Sequence, residues 1–544
     1  MAQEASGRVF ARQATGLVRE VSPLSAAIFN FSNAPVGLVL VYSTVLGFGF
    51  FAGGNILLGI TLAIIGSIPV LLNYALLTAS MPRTGGDYVY SSRLLHPAVG
   101  FAANFGLAVY QIIGAGAVAT FVALTGVSPA FATLANITGN SGFQDVAEWS
   151  ATTHGSFIIG AATLTLLAGL MIRGTRTALR FNSVMWSIGL FSLLLMFFIL
   201  ATTSQGEFVS QFNGFAQSSA DVSNGYNSVI STAREAGFGE RGSLSMLWPL
   251  IAVGMLGSGW FFWSTYISGE IKGARHLNRQ LKVMLSGAVV NGLMLLLGTW
   301  LFIKTFGSEF LSAMTWLLFN APDEVPFFTG QGAHIVFFSG LSANNDLLAT
   351  LFVITFIAWT WPLLPCYLFG VVRCAFAWSF DQITPSGLSQ VNEKTHTPVR
   401  LIVIVWALAV VACAVTAYTQ LIYQIFASTF IGTAVYSMLI TAVCAVVFPF
   451  RGKEIFESSP IAKYRVGRVP LITVTGVLAI LFTVFWGTAY IYFPEFGMHE
   501  NQGALTLVFI GSFVVGLIIY FIGRTIRTRQ GIPMDLVFAQ VPPE

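Results

Sequence analysis

The sequence predicts an all-α integral membrane protein with twelve transmembrane helices, of which the first and sixth are broken. Three observations carry this. Of 544 residues 55% are hydrophobic and 9% charged, and the mean hydropathy is +0.77, so there is too little charge to cover a soluble surface of that size. Apolar runs approaching or exceeding the roughly 20 residues that a bilayer requires recur along the whole chain. Two of these runs are interrupted near their middles, in corresponding positions of the two halves, which is the pattern of inverted repeats packed around a mid-membrane site.

In order, the runs are Ser22–Phe50, Ile56–Ser80, Ala98–Gly126, Ser156–Ile172, Phe181–Thr203, Leu244–Ser268, Val283–Phe306, Leu347–Ser379, Val399–Ala417, Leu421–Phe448, Leu471–Phe493 and Ala504–Ile522. The eighth is too long to stand upright, so it tilts or continues into the cytoplasm. Phe310–Phe319 is apolar but too short to span, and reads as a helix lying over the outer face. With the amino terminus cytoplasmic, all of the 26 Lys and Arg residues except Arg234, Arg241 and Lys304 fall on inner segments, the bias that fixes topology. Both termini are therefore expected inside, and the location is the plasma membrane. The chain divides into a leading segment (1–21), a ten-helix core (22–448), two further helices (449–523) and a tail (524–544).

The first break falls at Phe29-Asn30-Phe31-Ser32-Asn33-Ala34-Pro35-Val36-Gly37, where Pro35 removes a donor and the asparagines offer local hydrogen bonds. The second centres on Gly254, Gly257, Ser258 and Gly259; each glycine costs roughly 1 kcal/mol against alanine in a helix. Freed backbone at membrane depth persists only inside protein or beside a wet cavity, so the breaks are the expected site. A half-helix starting near Ala34 offers unpaired N–H groups and a positive dipole end to a carboxylate. Carbonyls near Ile28 to Asn30 and Ala252 to Met255 can accept from an ammonium group. Asn30, Ser32, Asn33 and Ser258 add side-chain hydrogen bonds, Phe31, Trp260 and Phe261 an apolar wall, and Gly37, Gly257 and Gly259 room for close approach. Tyr110, Gln111, Trp359 and Thr360 are further candidates for the cavity.

Outside the breaks, Arg83, Asp87, Glu270, Arg373 and Asp381 gather at the cytoplasmic rim and can pair as a gate. Asp346 reads as a helix cap. Cys366, Cys374, Cys413 and Cys444 lie in apolar runs without metal-ligand spacing, so neither a disulfide framework nor a metal is expected. His96, His154, His276, His334, His396 and His499 fall in loops or at span ends, which argues against a membrane-embedded enzyme. Repeated pore loops and charge rings, which a channel would use, are missing. The net charge of +4 comes from the loop bias, with no basic face for nucleic acid. The partners expected are the lipid bilayer and a small-molecule substrate. Oligomeric state is left open.

Met81-Pro82-Arg83-Thr84-Gly85-Gly86-Asp87-Tyr88 resembles the MPR-(S/T)-GG-x-Y signature of the amino acid-polyamine-organocation (APC) permeases. Ser268-Gly269-Glu270-Ile271-Lys272, Arg373 to Pro385 and Thr397-Pro398 are similar to later elements of that family. In place of the family's glycine-rich first-span element stands Ser32-Asn33-Ala34-Pro35-Val36-Gly37. The resemblance implies a 5+5 inverted-repeat (LeuT-like) fold with substrate between broken helices 1 and 6. It also implies a secondary transporter of amino acids, with no cofactor and with coupling to Na+ or H+. Some members carry a lysine in the fifth span as a proton switch; none occurs here, near Ser187-Ile188. A sodium site would draw on carbonyls of Ala27 and Ile28 and hydroxyls of Thr355 and Thr360. The midplane lacks charge, so a neutral, apolar or aromatic amino acid is the expected substrate. The alternatives are polyamines, other amines or nucleobases, or a substrate sensor on the same scaffold.

Overall fold

The computed structural model describes residues 17–239, 244–321, 324, 335–419, 422–497, 499 and 502–539. Arg8, Arg12, Arg241, His334, the predicted tenth-span start at Leu421 and the end of the tail lie outside them. In order, the helices are α1 (Pro23–Ser32), α2 (Val36–Thr44), α3 (Ile56–Ser80), α4 (Asp87–Leu94), α5 (Pro97–Phe121), α6 (Ser128–Thr138), α7 (Ser141–Ala151), α8 (Thr153–Ile172), α9 (Thr175–Thr202), α10 (Gln205–Ala220), α11 (Gly225–Glu235) and α12 (Leu247–Gly254). There follow α13 (Leu277–Phe306), α14 (Ser308–Asn320), α15 (Ile335–Leu341), α16 (Asp346–Phe356), α17 (Leu363–Phe380), α18 (Val399–Thr419), α19 (Ile422–Thr433), α20 (Ile440–Arg451), α21 (Lys453–Glu457), α22 (Leu471–Tyr492), α23 (Gln502–Arg529) and α24 (Met534–Ala539). A two-residue hairpin, Arg465–Val466 with Val469–Pro470, precedes α22.

Among the described residues eleven helical stretches are long and apolar enough to cross a membrane, corresponding to every predicted span except the sixth; the first of them contains the break between α1 and α2. That run departs from expectation for a local reason. After α12 the backbone tightens into a 3-10 turn (Met255–Gly257), opens, and resumes as 3-10 from Trp263 to Glu270 with a non-helical kink at Ile267. Only Leu247–Gly257 remains as a short apolar helix. The glycines mark where it stops, but the irregular stretch runs eleven residues past Gly259, to Glu270. The eighth span is also interrupted, by a 3-10 turn at Ile357–Thr360. Its start is capped by the Asn345 side chain, which accepts from the Leu348 N–H; Asp346 occupies the first turn rather than the cap.

Packing places the two breaks at the centre. The α1 segment lies against α13, α9 and the Trp263–Glu270 stretch, while α3 packs on α12, α13 and α22, and α5 on α17, α18, α19 and α23. Large apolar side chains such as Ile158, Phe198, Leu293, Leu481 and Leu507 are exposed on outward helix faces, as a multi-pass membrane protein requires. The α14 helix packs on the Val45–Phe50 π turn and on α11.

Candidate functional site

The first break has a simple backbone cause. Asn33 and Ala34 N–H groups reach back to Asn30 and Phe31 carbonyls, and Pro35 adopts an extended conformation at the cap of α2 with no side-chain cap bond. The N–H groups of Val36, Gly37 and Leu38 therefore begin α2 uncapped.

Asparagine amides join the two breaks. Asn33 Nδ2 donates to Trp260 O at 3.1 Å. Asn30 Nδ2 donates to Val283 O at 3.2 Å, and its Oδ1 accepts from the Ser264 N–H at 2.7 Å. Asn30 thus ties α1 to α13 and to the second break, with both ends of its amide engaged. Asn291 Nδ2 holds Ala34 O at 2.8 Å, and Cys366 Sγ donates to Phe29 O at 3.3 Å.

Between the breaks lies a cavity. Asn33, Pro35, Leu38, Val39 and Tyr42 form one wall, and Leu256, Trp260 and Trp263 the facing one. Gln111, Leu363, Tyr367, Thr429, Phe430 and Thr433 complete it. Gln111 Nε2 donates to Thr433 Oγ1 at 2.9 Å, and Thr433 in turn donates to Thr429 O at 2.8 Å. Because the threonine proton is already committed, Thr433 must accept, which fixes the orientation of the amide. Gln111 Oε1 is then a buried acceptor and Trp260 Nε1 a buried donor, each without a partner.

Of the predicted binding residues, Asn33 and Trp260 line this cavity. Several others serve packing. Phe31 turns to Trp186 and Phe261, with centroids 5.7 and 6.4 Å away. Ser32 Oγ donates to Ile28 O at 2.7 Å and accepts from Asn182, and Ser258 Oγ donates to Gly254 O at 3.0 Å. A Cβ on Gly37 would stand 2.6 Å from the Trp359 ring, and one on Gly257 2.6 Å from Leu295; Gly259 sits under the Met255 side chain. Trp359 thus packs on α2 instead of entering the cavity, and Tyr110 lies tilted against Tyr436 and Phe509. Ala27 is half-buried beside the Ile28 carbonyl already engaged by Ser32. Thr355 and Thr360 hydroxyls bond back to Leu351 O and Ile357 O, as threonines in apolar helices commonly do. Tyr42, Trp263, Tyr367, Thr429, Phe430 and Thr433 were not foreseen as lining. Only the i, i+4 pair Thr429 and Thr433 carried a sequence signal, as hydroxyls on one face of an apolar helix.

The charged residues are buried rather than solvated. Arg373 Nε meets Glu270 Oε1 at 2.7 Å and its Nη2 meets Oε2 at 3.0 Å, while the Thr175 hydroxyl donates to Oε2 at 2.9 Å. Arg93, absent from the expected gate, holds Asp381 at 2.7 Å, and the Tyr88 hydroxyl donates to the same carboxylate at 2.9 Å. Arg83 is engaged locally: its guanidinium donates to Pro82 O and its carbonyl accepts from Ser268. Backbone bonds from Val21 to Glu270 and from Lys272 to Val21 tie the entry to α1 to the end of the second break. The Glu270–Arg373 pair therefore lies beside the entry to α1.

Gly85 and Gly86 set the start of α4. Their φ values of +104° and +54° suit only glycine, and the Gly85 N–H donates to Tyr266 O at 3.1 Å. This turn presents Asp87 inward, where Asn104 Nδ2 and the Tyr266 hydroxyl donate to its two oxygens at 2.9 and 2.8 Å. Burial pushes the Asp87 carboxyl up to about 6 against these hydrogen bonds.

A multi-pass helical protein with two discontinuous segments facing each other over a small cavity has the build of a membrane permease. The amino acid permease family model matches residues 23–524, and the chain belongs to that family, within the APC superfamily that its loop signature resembles. No relative among curated proteins matches it.

Proposed function

We propose that this permease is a secondary active transporter moving a neutral amino acid, apolar or aromatic in side chain, by alternating access. The observation that carries the reading is the cavity between the breaks, whose wall, among the described residues, has aromatic, aliphatic, hydroxyl and amide side chains and no acidic or basic one. A polyamine or arginine would bring a cation into this wall with no carboxylate to meet it, at a substantial desolvation cost. A zwitterion fits better: its carboxylate takes the uncapped N–H groups opening α2, and its ammonium takes Gln111 Oε1. Trp260, Phe430, Tyr42 and Leu38 then surround the side chain.

The same reading takes the chain as twelve spans, ten of them in two inverted repeats of five, with both termini cytoplasmic in the plasma membrane. The inner bias of Lys and Arg supports this orientation, under which the buried ion pairs close the cytoplasmic side. Coupling in this reading is to Na+ or H+: the Thr355 and Thr360 hydroxyls donate to Leu351 O and Ile357 O, which leaves their oxygen lone pairs to a sodium ion.

Counterflow of labelled leucine and phenylalanine by purified protein in liposomes tests the substrate class, with alanine, nucleobases and polyamines as competitors. Inhibition by polyamines or nucleobases and none by neutral amino acids would overturn it. Binding without flux would make the protein a sensor.

A further inference from the structure

Three carboxylates are buried among the described residues: Asp87, Glu270 and Asp381. Glu270 and Asp381 each face an arginine. Asp87 is held by neutral donors, the Ser437 and Tyr266 hydroxyls, the Tyr88 backbone N–H and the Asn104 amide. A carboxylate kept in such a place without a cation is the arrangement that binds and releases a proton most readily.

Its surroundings are built for this. Asn104 Oδ1 accepts from Trp378 Nε1 at 2.7 Å, so the amide must turn its NH2 to Asp87. Tyr266 belongs to the second break, and its hydroxyl lies 3.0 Å from Ser437 Oγ, which lies 2.6 Å from the Tyr74 hydroxyl. Tyr74 stacks on Phe262, centroids 4.0 Å apart, two residues beyond Trp260 of the cavity wall. A line of hydroxyls thus leads from Asp87 toward the second break. The titratable groups facing Asp87 are Tyr74 from α3, Tyr90 from its own helix, Tyr266, Cys374 from α17 and Cys444 from α20. All are phenols or thiols that are neutral at ordinary pH, so Asp87 is the group among them that changes charge.

We propose that Asp87 is the proton-binding site of this permease and that its charge state governs how tightly the second break is held to the Gly85–Gly86 turn. The inference rests on the permease reading above and names its coupling ion. When Asp87 is ionised, Tyr266 and Asn104 make charge-assisted bonds that clamp the second break and α5 to α4. A proton from bulk water adds to a carboxylate oxygen without any bond breaking in the protein. The carboxyl then donates where it had accepted, and the clamping bonds fall to the strength of neutral ones, about half. Tyr266 and its 3-10 segment are released from the turn, and the end closed by the ion pairs is freed to open. Loss of the proton on that side restores the clamp. Substrate and proton therefore move in the same direction.

The test uses the full chain in liposomes with the membrane potential clamped, an imposed pH gradient, a trapped pH dye and labelled leucine or phenylalanine. In the wild type an inward proton gradient should raise accumulation above counterflow, and substrate addition should acidify the lumen. For Asp87→Asn the ratio of gradient-driven uptake to counterflow should fall to its value without a gradient, and acidification should vanish. Tyr266→Phe keeps the carboxylate but removes one donor to its charged form. The pH of half-maximal driven uptake should then move up by about one unit, which keeps the idea testable if Asp87→Asn does not fold. Wild-type counterflow that ignores the gradient would overturn the proposal, as would an Asp87→Asn protein driven like wild type or an unmoved midpoint in Tyr266→Phe. Absence of wild-type counterflow with every amino acid would instead count against the permease reading.

Discussion

Asp87, Glu270 and Asp381 are chemically similar and equally buried, yet their neighbours give them different work. The carboxyl of Asp87 is raised from 3.8 to about 6, so it binds a proton more tightly in the folded state than in the unfolded one. Its protonated form stabilises the fold: the contribution is complete below about pH 4 and is lost as pH rises through 6. The lost stability reaches about 3 kcal/mol as an upper figure. Asp87→Asn should therefore melt higher than wild type at pH 7.5 and close to it at pH 4, a difference that a thermal-shift series across pH would read. Glu270 is instead paired with the buried Arg373. Glu270→Gln strands that guanidinium and should cost about 3–5 kcal/mol, whereas Glu270→Gln with Arg373→Met should recover part of the loss in the same assay. The carboxylates were legible as a rim cluster, but Arg93 was not among the expected partners. A charge counted along a loop carries no sign of which neighbour the fold brings to it.

At the level of the element, the two broken segments owe their shape to different causes. The first is local: Pro35 lacks a donor, Asn33 turns back on Asn30, and α2 starts three residues past Asn33. It was readable as sequence. The second begins at glycines but continues as 3-10 to Glu270 because tertiary bonds from Asn30, Asn33 and Cys366 hold its backbone or side chains away from an α path. Gly37 shows how closely the halves fit. Gly37→Leu should abolish counterflow while leaving membrane insertion intact, since its side chain would enter the Trp359 ring and push α2 off its seat. Normal transport by that variant would remove α2 from the site.

For the whole molecule, orientation is the property most open to a direct check. The four cysteines among the described residues are buried, so introduced ones report without background. Ser141→Cys and Asn224→Cys, at exposed positions between spans, should react with an impermeant thiol reagent from outside, and Lys394→Cys should not. Reversed labelling would refute a cytoplasmic amino terminus. Gly174 would be a poor reporter, because it is buried and would stay silent in either orientation.

By itself the sequence determined the membrane class, the positions of eleven long helices, the first break and the family signature. These follow from composition, hydrophobic run length, and proline and glycine chemistry, all of which act between near neighbours in the chain. Tertiary structure decided which polar groups face the cavity and which lock the scaffold. Asn30 and Asn33 differ by less than one helical turn, yet one is consumed between α13 and the second break while the other reaches Trp260 at the cavity wall. Gln111 gains its open acceptor only because Thr433, 322 residues away, already gives its proton to its own helix. A buried polar atom's role depends on whether a distant partner has satisfied it, and that is a property of packing rather than of local sequence.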